Sequence, residues 1–357
     1  MRTLLIYGAT GYTGELVARR AVADGLRPIL AARQEAAVAA LEGELALDHR
    51  VFALDRADAI DLSGVAVVLS CAGPFSETAG PLGDACLRAR AHYLDITGEA
   101  AVFESVAARD AEAIAAGVML LPGVGFDVVP TDCLAAHLAA RLPAATALRL
   151  AFTVSGRMSR GTALTSLAGA KRGGLVRRDA ALVSVPVAHR TIAVDFGSGV
   201  RVRAVAIPWG DVFTAYVTTR IPNIEVYAAL PRSTRVALRA SRWLGPLVNS
   251  GPVRRLAERW VRARVKGPSA QERAAGETRI WGEARDAAGA TVVSRLRTPE
   301  PYHLTVETAV AIAKRALGGD AAVGFQTPAR AYGADFVLGF DGVSRQDEAS
   351  GVADPSP

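Results

Sequence analysis

"LLIYGATGYTGELVARR", residues 4–20, is the stretch on which the fold turns. An apolar run from Thr3 to Tyr7 flows into Gly8-Ala-Thr-Gly11-Tyr-Thr-Gly14, and Leu16, Val17, Ala18 and Ala21 then recur at helical spacing. Strand, glycine loop and helix in that order open a dinucleotide-binding unit. Gly8 allows the tight turn, Gly11 lets a pyrophosphate approach the backbone, and Gly14 lets helix and strand pack closely. The helix start adds unpaired N–H groups and the positive end of a dipole. A purely structural turn is the plain alternative.

The second strand, Pro28 to Arg33, ends where an acid would hold the 2′-hydroxyl of NAD. No acid stands there. Ala31 and Ala32 leave room for a 2′-phosphate and Arg33 offers a guanidinium to it, so the expected coenzyme is NADP(H). Further strand-like runs at Val51–Leu54, Ala66–Ser70, Tyr93–Ile96 and Val118–Leu121 alternate with helical stretches Glu35–Leu45, Leu82–Arg90 and Ala101–Ala116. That alternation predicts an α/β fold with a Rossmann-type doubly wound parallel sheet over residues 1–135. Ligands of such sheets lie beyond the carboxyl ends of the strands, which singles out Asp55, "CAGPF" from Cys71, "DITGE" from Asp95 and "PGVGFDVVPTD" from Pro122.

From Ala147 the runs alternate apolar and polar residues: "LRLAFTV", "VSVPVAHRTIAVDF", "VRVRAVAIPW", "VFTAYVTT", "IEVYAAL", "TRIWGEARD" and "TVVSRLRT". They predict a second, mixed and mostly antiparallel α+β domain over residues 136–300. Between its early strands, Ser159-Arg-Gly-Thr162 precedes a helix on which Thr162 and Thr165 can donate to a substrate carbonyl or carboxylate, or simply cap the helix. "YHLTVETAVAIAKRAL" reads as a long amphipathic helix, and the polar end "DGVSRQDEASGVADPSP", 341–357, as a disordered tail.

Residues 232–266 break the sheet pattern with ten Lys/Arg against one acid, Glu258, a local +9 in a chain whose net charge is +6. Apolar stripes in this basic helical insertion suit either an anionic membrane surface, a cover for an acyl chain brought by an acidic carrier, or packing on the sheet with solvated arginines outside. The remainder sums to −3, which argues against nucleic acid as a partner.

The 357 residues, 50% hydrophobic, suffice for two cores. Cys71, Cys86 and Cys133 lack CxxC spacing and the histidines lack ligand-like pairs, so neither a disulfide framework nor a metal is expected. No signal-like segment or long apolar run is present, and the expected location is cytoplasmic, with peripheral membrane association as a variant.

"GATGYTG" at Gly8, "SCAGPF" at Ser70 followed by "GPLGDACLRARAHYLDITGE", "GFDVVPTD" at Gly125 and "PYHLTVETAV…GFQTPA" between Pro301 and Ala329 together resemble the saccharopine dehydrogenase-like oxidoreductases, in particular the branch of the trans-acting enoyl reductases. The resemblance implies coenzyme contacts at Gly8, Thr10, Gly11, Tyr12, Thr13, Gly14, Arg33, Ala72 and Gly73, and a segment from about 300 to 340 that packs back on the first domain. It fixes the coenzyme better than the reaction.

A short-chain reductase would need a lysine four residues after a tyrosine, and none is so placed: Tyr216 is followed by Arg220 and Tyr93 by Thr97. A semialdehyde dehydrogenase-like enzyme would need a thiolate, for which only Cys71 and Cys133 come into question. The catalytic candidates are therefore the polar groups at the strand ends, Tyr93, Asp95, Asp127 and Asp132, with Glu99 beside them; each has a helix-capping alternative. The expected activity is NADPH-dependent reduction of a C=C or C=N bond of a small-molecule or acyl substrate. A non-catalytic NADP(H)-binding membrane adaptor is the rival class, and a second copy of the chain is a further candidate partner.

Overall fold

The glycine loop sits at the tip of the first strand of a seven-stranded sheet in which every pairing is parallel. The computed structural model describes residues 3–56, 59–154, 156–169, 173–238, 251–348 and 351–352. The strands are β1 (Thr3–Tyr7), β2 (Ile29–Ala32), β3 (His49–Val51), β4 (Val65–Ser70), β5 (His92–Asp95) and β6 (Met119–Leu121), joined from far down the chain by β15 (Gly324–Phe325). Their order is β15-β6-β5-β4-β1-β2-β3, so the chain reverses direction between β1 and β4 and leaves a crevice at that switch point.

Because side chains alternate across a strand, Leu4 and Ile6 face one core while Leu5 and Tyr7 face another. Helices Tyr12–Ala23 and Pro301–Leu317 cover the first face; helices Phe75–Ala89 and Ala100–Ala107 cover the second. Both faces are thus buried, and the strands read as continuous apolar runs.

The second sheet contains β7 (Ala145–Thr153), β8 (Gly174–Arg178), β9 (Ala181–Val185), β10 (Thr191–Asp195), β11 (Arg201–Ala206), β12 (Asn223–Ala229), β13 (Glu277–Asp286), β14 (Ala290–Pro299), β16 (Ser344–Asp347) and β17 (Gly351–Val352). Its main path runs β10-β11-β12-β7-β13-β14-β16, with β12 parallel to β7 and the other pairings antiparallel. Helix Val129–Arg141 lies on it closely. A Cβ on Gly282 would come within 2.6 Å of the Leu138 side chain, so glycine lets the helix lie close without displacing that leucine.

Three expectations are corrected. "VFTAYVTT" is not a strand but lies within helix Asp211–Thr219, where Val212 and Ala215 are buried one turn apart against helix Val129–Arg141. A short β-branched run fits both periods, and packing decides between them. The stretch 101–116 is two helices, Ala100–Ala107 and Asp110–Ala116, because Arg109 leaves helical geometry and turns its guanidinium to Asp84 and Glu112. Finally, the tail expected from 341 includes β16, whose Asp347 carboxylate accepts hydrogen bonds from Ser294 Oγ (2.6 Å) and His137 Nε2 (2.9 Å). Its polarity hid it, since an edge strand gains backbone pairing without apolar residues. Of the basic insertion 232–266, residues 239–250 lie outside the described residues, while 251–264 form a helix.

Candidate functional site

β1 and β4 end at opposite sides of the crevice, and their loops touch there. Gly8 has φ +80°, and a Cβ on it would stand 2.8 Å from that of Ala72; a Cβ on Gly14 would stand 2.1 Å from the Gly8 carbonyl oxygen. Glycine is required at both positions on steric grounds. Gly11 closes the turn by donating its N–H to Gly8 O (3.0 Å). No side chain caps helix Tyr12–Ala23, so the first-turn N–H groups of Tyr12, Thr13 and Gly14 stay open toward the crevice mouth. Open amides, a dipole and a glycine cradle fit a pyrophosphate. Thr10 and Gly11 are exposed at the rim, and Thr13 and Gly14 are buried beneath it.

At the end of β2, Arg33 is exposed and has no ion pair among the described residues; Asp55, beyond β3, is likewise exposed. Both charges reach the Tyr7 phenol, whose pKa burial raises, and Tyr7 stacks on Phe52 at 5.2 Å. This corner offers a cation and an apolar platform at the place where a ribose 2′-substituent and an adenine would lie.

The strand-end carboxyls divide into two kinds. Asp95 is fully buried: its Oδ1 accepts from the N–H of Thr97 and of Gly123, each at 2.9 Å, and its Oδ2 accepts from Tyr93 Oη at 2.7 Å. Burial raises its pKa to about 6 against these donors. Asp132, also fully buried and raised by burial to about 6, accepts from Thr218 Oγ1 (2.6 Å) and the Ala329 N–H (2.8 Å). Tyr93, Asp95 and Asp132 thus all have hydrogen-bond partners within the protein, and these bonds tie the strand-end loops together. Glu99 has a partner too, since its Oε1 caps the neighbouring helix at the Phe75 N–H (2.9 Å).

Asp127 differs. Among the described residues no donor reaches its carboxyl, which burial alone pushes up to about 7. It lies against Gly98, where a Cβ would stand 2.7 Å from its Oδ2. Its backbone is fixed from both sides: Trp209 Nε1 donates to Asp127 O at 2.7 Å, and the preceding Phe126 N–H donates to Thr305 Oγ1 at 2.9 Å. Phe126 packs edge-on against Phe152, and Phe152 tilted against Trp209, forming an aromatic wall beside it.

A further polar group comes from the helix Pro301–Leu317. Tyr302 Oη accepts from the Ser159 N–H (2.6 Å) and exchanges a hydrogen bond with Thr162 Oγ1 (2.9 Å), which in turn meets Ser159 Oγ at 3.1 Å. Burial raises the Tyr302 pKa, and the Asp127 charge raises it further. One turn beyond Thr162, Thr165 reaches the coenzyme crevice, with its Oγ1 3.2 Å from where a Cβ on Gly73 would be. Tyr302 also packs edge-on against Tyr12 of the glycine loop, ring centroids 5.1 Å apart. Tyr12 Oη donates to Pro268 O (2.7 Å) and accepts from Arg273 Nη1 (2.8 Å). The sequence named Asp127 and Thr162 but not Tyr302, whose only visible signal was its place at the start of a helix.

Burial pushes the Cys71 thiol up to about 12 with the Asp95 charge adding to it, and Cys133 is raised as well. Neither is a thiolate near neutral pH. Among the described residues no group of histidines, cysteines and carboxylates has the arrangement to hold a metal ion, and no helix is long and apolar enough to cross a membrane.

Residues 4–121 match the family model described as the saccharopine dehydrogenase NADP binding domain. The trans-acting enoyl reductase of Mycobacterium leprae is 32% identical over 139 residues, 36% of this chain and 33% of that protein. Its namesake in Mycobacterium tuberculosis is 31% identical over 139 residues, with the same shares. The match thus spans about a third of the length of these curated relatives. Apo saccharopine dehydrogenase (L-Glu forming) from Saccharomyces cerevisiae superposes with a TM-score of 0.66 at 10% identity, covering 98% of this chain and 100% of that one, a likeness of fold.

Proposed function

We propose, for a chain whose residues 4–121 match the saccharopine dehydrogenase NADP binding domain, that it is an NADPH-dependent oxidoreductase reducing a C=C or C=N bond in a substrate with an apolar acyl part. The observation that carries this reading is that one crevice is bordered by the glycine cradle, by Asp127, whose carboxyl meets no donor among the described residues, and by Tyr302, whose ring packs on Tyr12 of that cradle. Gly8, Gly11, Gly14 and the open amides of Tyr12 and Thr13 would hold the pyrophosphate, Arg33 the 2′-phosphate, and Ala72 and Gly73 would border the nicotinamide end. When bound, the coenzyme supplies hydride.

The chain's own residues then manage charge and proton. The Tyr302 hydroxyl, which accepts from the Ser159 N–H and shares a hydrogen bond with Thr162 Oγ1, would turn its proton to an oxygen or nitrogen on which negative charge develops. The Asp127 carboxyl, poised near neutrality, supplies the proton to the reduced carbon or nitrogen. Phe126, Phe152 and Trp209 keep water from that proton and favour an apolar acyl chain. The enoyl alternative is supported by what the mycobacterial relatives are called.

Turnover of medium-chain enoyl thioesters and of cyclic imines with NADPH, in wild type, Tyr302→Phe and Asp127→Asn, tests the assignment. Either variant should lose roughly 10²–10⁴-fold in kcat while coenzyme affinity stays within a factor of about two. Arg33→Ala should weaken NADPH and leave NADH unchanged. Turnover undiminished in both Tyr302→Phe and Asp127→Asn would refute the roles given to these residues.

A further inference from the structure

The helix Gly251–Arg264 has two apolar edges where packing needs only one. Val261 is buried and Ala257 and Val265 are half-buried on the side that rests against helix Arg160–Gly169. On a different side Val253, Leu256 and Trp260 follow at steps of three and four and stand in the open, Leu256 69% and Trp260 62% exposed. Beside that stripe runs a second row, Arg255, Arg259, Arg262 and Lys266, at steps of four, three and four, every member exposed. None of these four cations has an ion pair among the described residues, and Glu258, the lone acid of the segment 232–266, lies half-buried toward the packed side.

We propose that this helix is an interfacial anchor that docks the protein on an anionic lipid bilayer, with Val253, Leu256 and Trp260 entering the acyl boundary and the arginine row lying among acidic headgroups. A stripe that holds a large aromatic and a leucine in water at this exposure, flanked by unpaired cations, has the chemistry of a helix lying in a membrane interface. Charge selects the bilayer over an apolar protein groove: ten Lys/Arg and one acid between 232 and 266 make the whole segment cationic.

The anchor is joined closely to the site. Its packed side rests on the helix that carries Thr162 and Thr165. Just past its end, Gly267 lies against the Tyr12 ring, and Pro268 O accepts the Tyr12 hydroxyl at 2.7 Å. Docking through this helix would bring the crevice close to the bilayer. The docking stands on the helix alone; its consequence, that an acyl substrate is taken from the lipid phase, rests on the reductase reading above.

Flotation of the full chain with phosphatidylcholine vesicles, with and without phosphatidylglycerol, at low and high salt, tests this directly. Binding to the anionic vesicles only, weakened by salt, is expected. The double variants L256D/W260S and R255E/R259E should each reduce vesicle affinity by more than about tenfold while NADPH affinity, which reports the fold and the first domain, is unchanged. Failure of the wild type to float, or flotation of both variants like the wild type, would overturn the proposal. So would a shift of L256D/W260S from dimer to monomer without any vesicle binding, which would assign the stripe to a second copy, or capture by an acidic acyl carrier protein in place of vesicles. Turnover of a water-soluble enoyl thioester, followed separately, tells loss of docking from failure of the reductase assignment.

Discussion

At the scale of single residues, the glycine loop was legible because its requirements are steric and local. Gly8 and Gly14 exclude a side chain within a few ångströms of their own neighbours in sequence or across one strand gap. Tyr302 was not legible in this way. Its hydroxyl meets Thr162, 140 positions away, and nothing in the local pattern distinguishes a tyrosine at a helix start from any other. Asp127 stood out only as one carboxyl among several, and its difference from Asp95 and Asp132 is the absence of donors around it. That difference has a pH signature. An acid whose folded pKa, about 7, exceeds its unfolded value binds more protons when folded, so its contribution to stability declines as pH rises between the two and the loss is complete above the folded value. Asp127→Asn should therefore unfold in denaturant like wild type near pH 4 and be more stable at pH 8, by roughly 1–3 kcal/mol. Asp95 and Asp132, also raised, impose the same background slope on both proteins, whereas the buried Asp211, which the Asp127 charge helps to raise, changes with the substitution, so the difference reports Asp127 together with its effect on Asp211. An equal difference at the two pH values would show that the substitution acts through packing instead.

At the scale of elements, the alternation of apolar strands and helices in the first 121 residues was sufficient to set out the parallel sheet, because both its faces are buried and each run is continuous. The second sheet was legible as a kind of structure but not in every member. Helix Asp211–Thr219 was hidden in a β-branched run, and β16 in a polar one. The edge strand shows how backbone pairing stands in for hydrophobicity: Ser344 to Asp347 pairs with Arg297 to Ser294, and Arg141 Nη2 donates to Glu348 O at 2.7 Å just beyond it. A chain ended after Phe340 should lose about 2–4 kcal/mol of stability, since Ser294 and His137 are left without their carboxylate and β14 without its neighbour. Chemical denaturation of the shortened and full chains decides the matter; equal midpoints would mean that this segment behaves as the unstructured tail its composition suggests.

At the scale of the molecule, the two sheets are not two independent bodies. Leu4 and Ile6 of β1, Leu148 and Leu150 of β7, Leu296 of β14 and Ala309 of helix Pro301–Leu317 belong to one continuous apolar core. The same helix holds the Asp127 loop from above, because Thr305 Oγ1 accepts the Phe126 N–H (2.9 Å) and Thr308 Oγ1 donates to Val124 O (2.8 Å). Unfolding either sheet would expose the other's packing face and release the loop between them. Chains of two domains commonly melt in steps when the interface is small and polar. Here the interface is core, and a single transition is expected, with the fluorescence of Trp209 and Trp281 in the second domain changing at the same temperature as the far-ultraviolet signal. Coenzyme bound only in the first domain must then stabilise both, by about 2.7 kcal/mol at a hundredfold excess over Kd. If NADPH moved one transition and left a second, tryptophan-reported one in place, the shared core would not couple the domains, and the crevice would have to be regarded as a site whose two walls fold, and respond to ligand, separately.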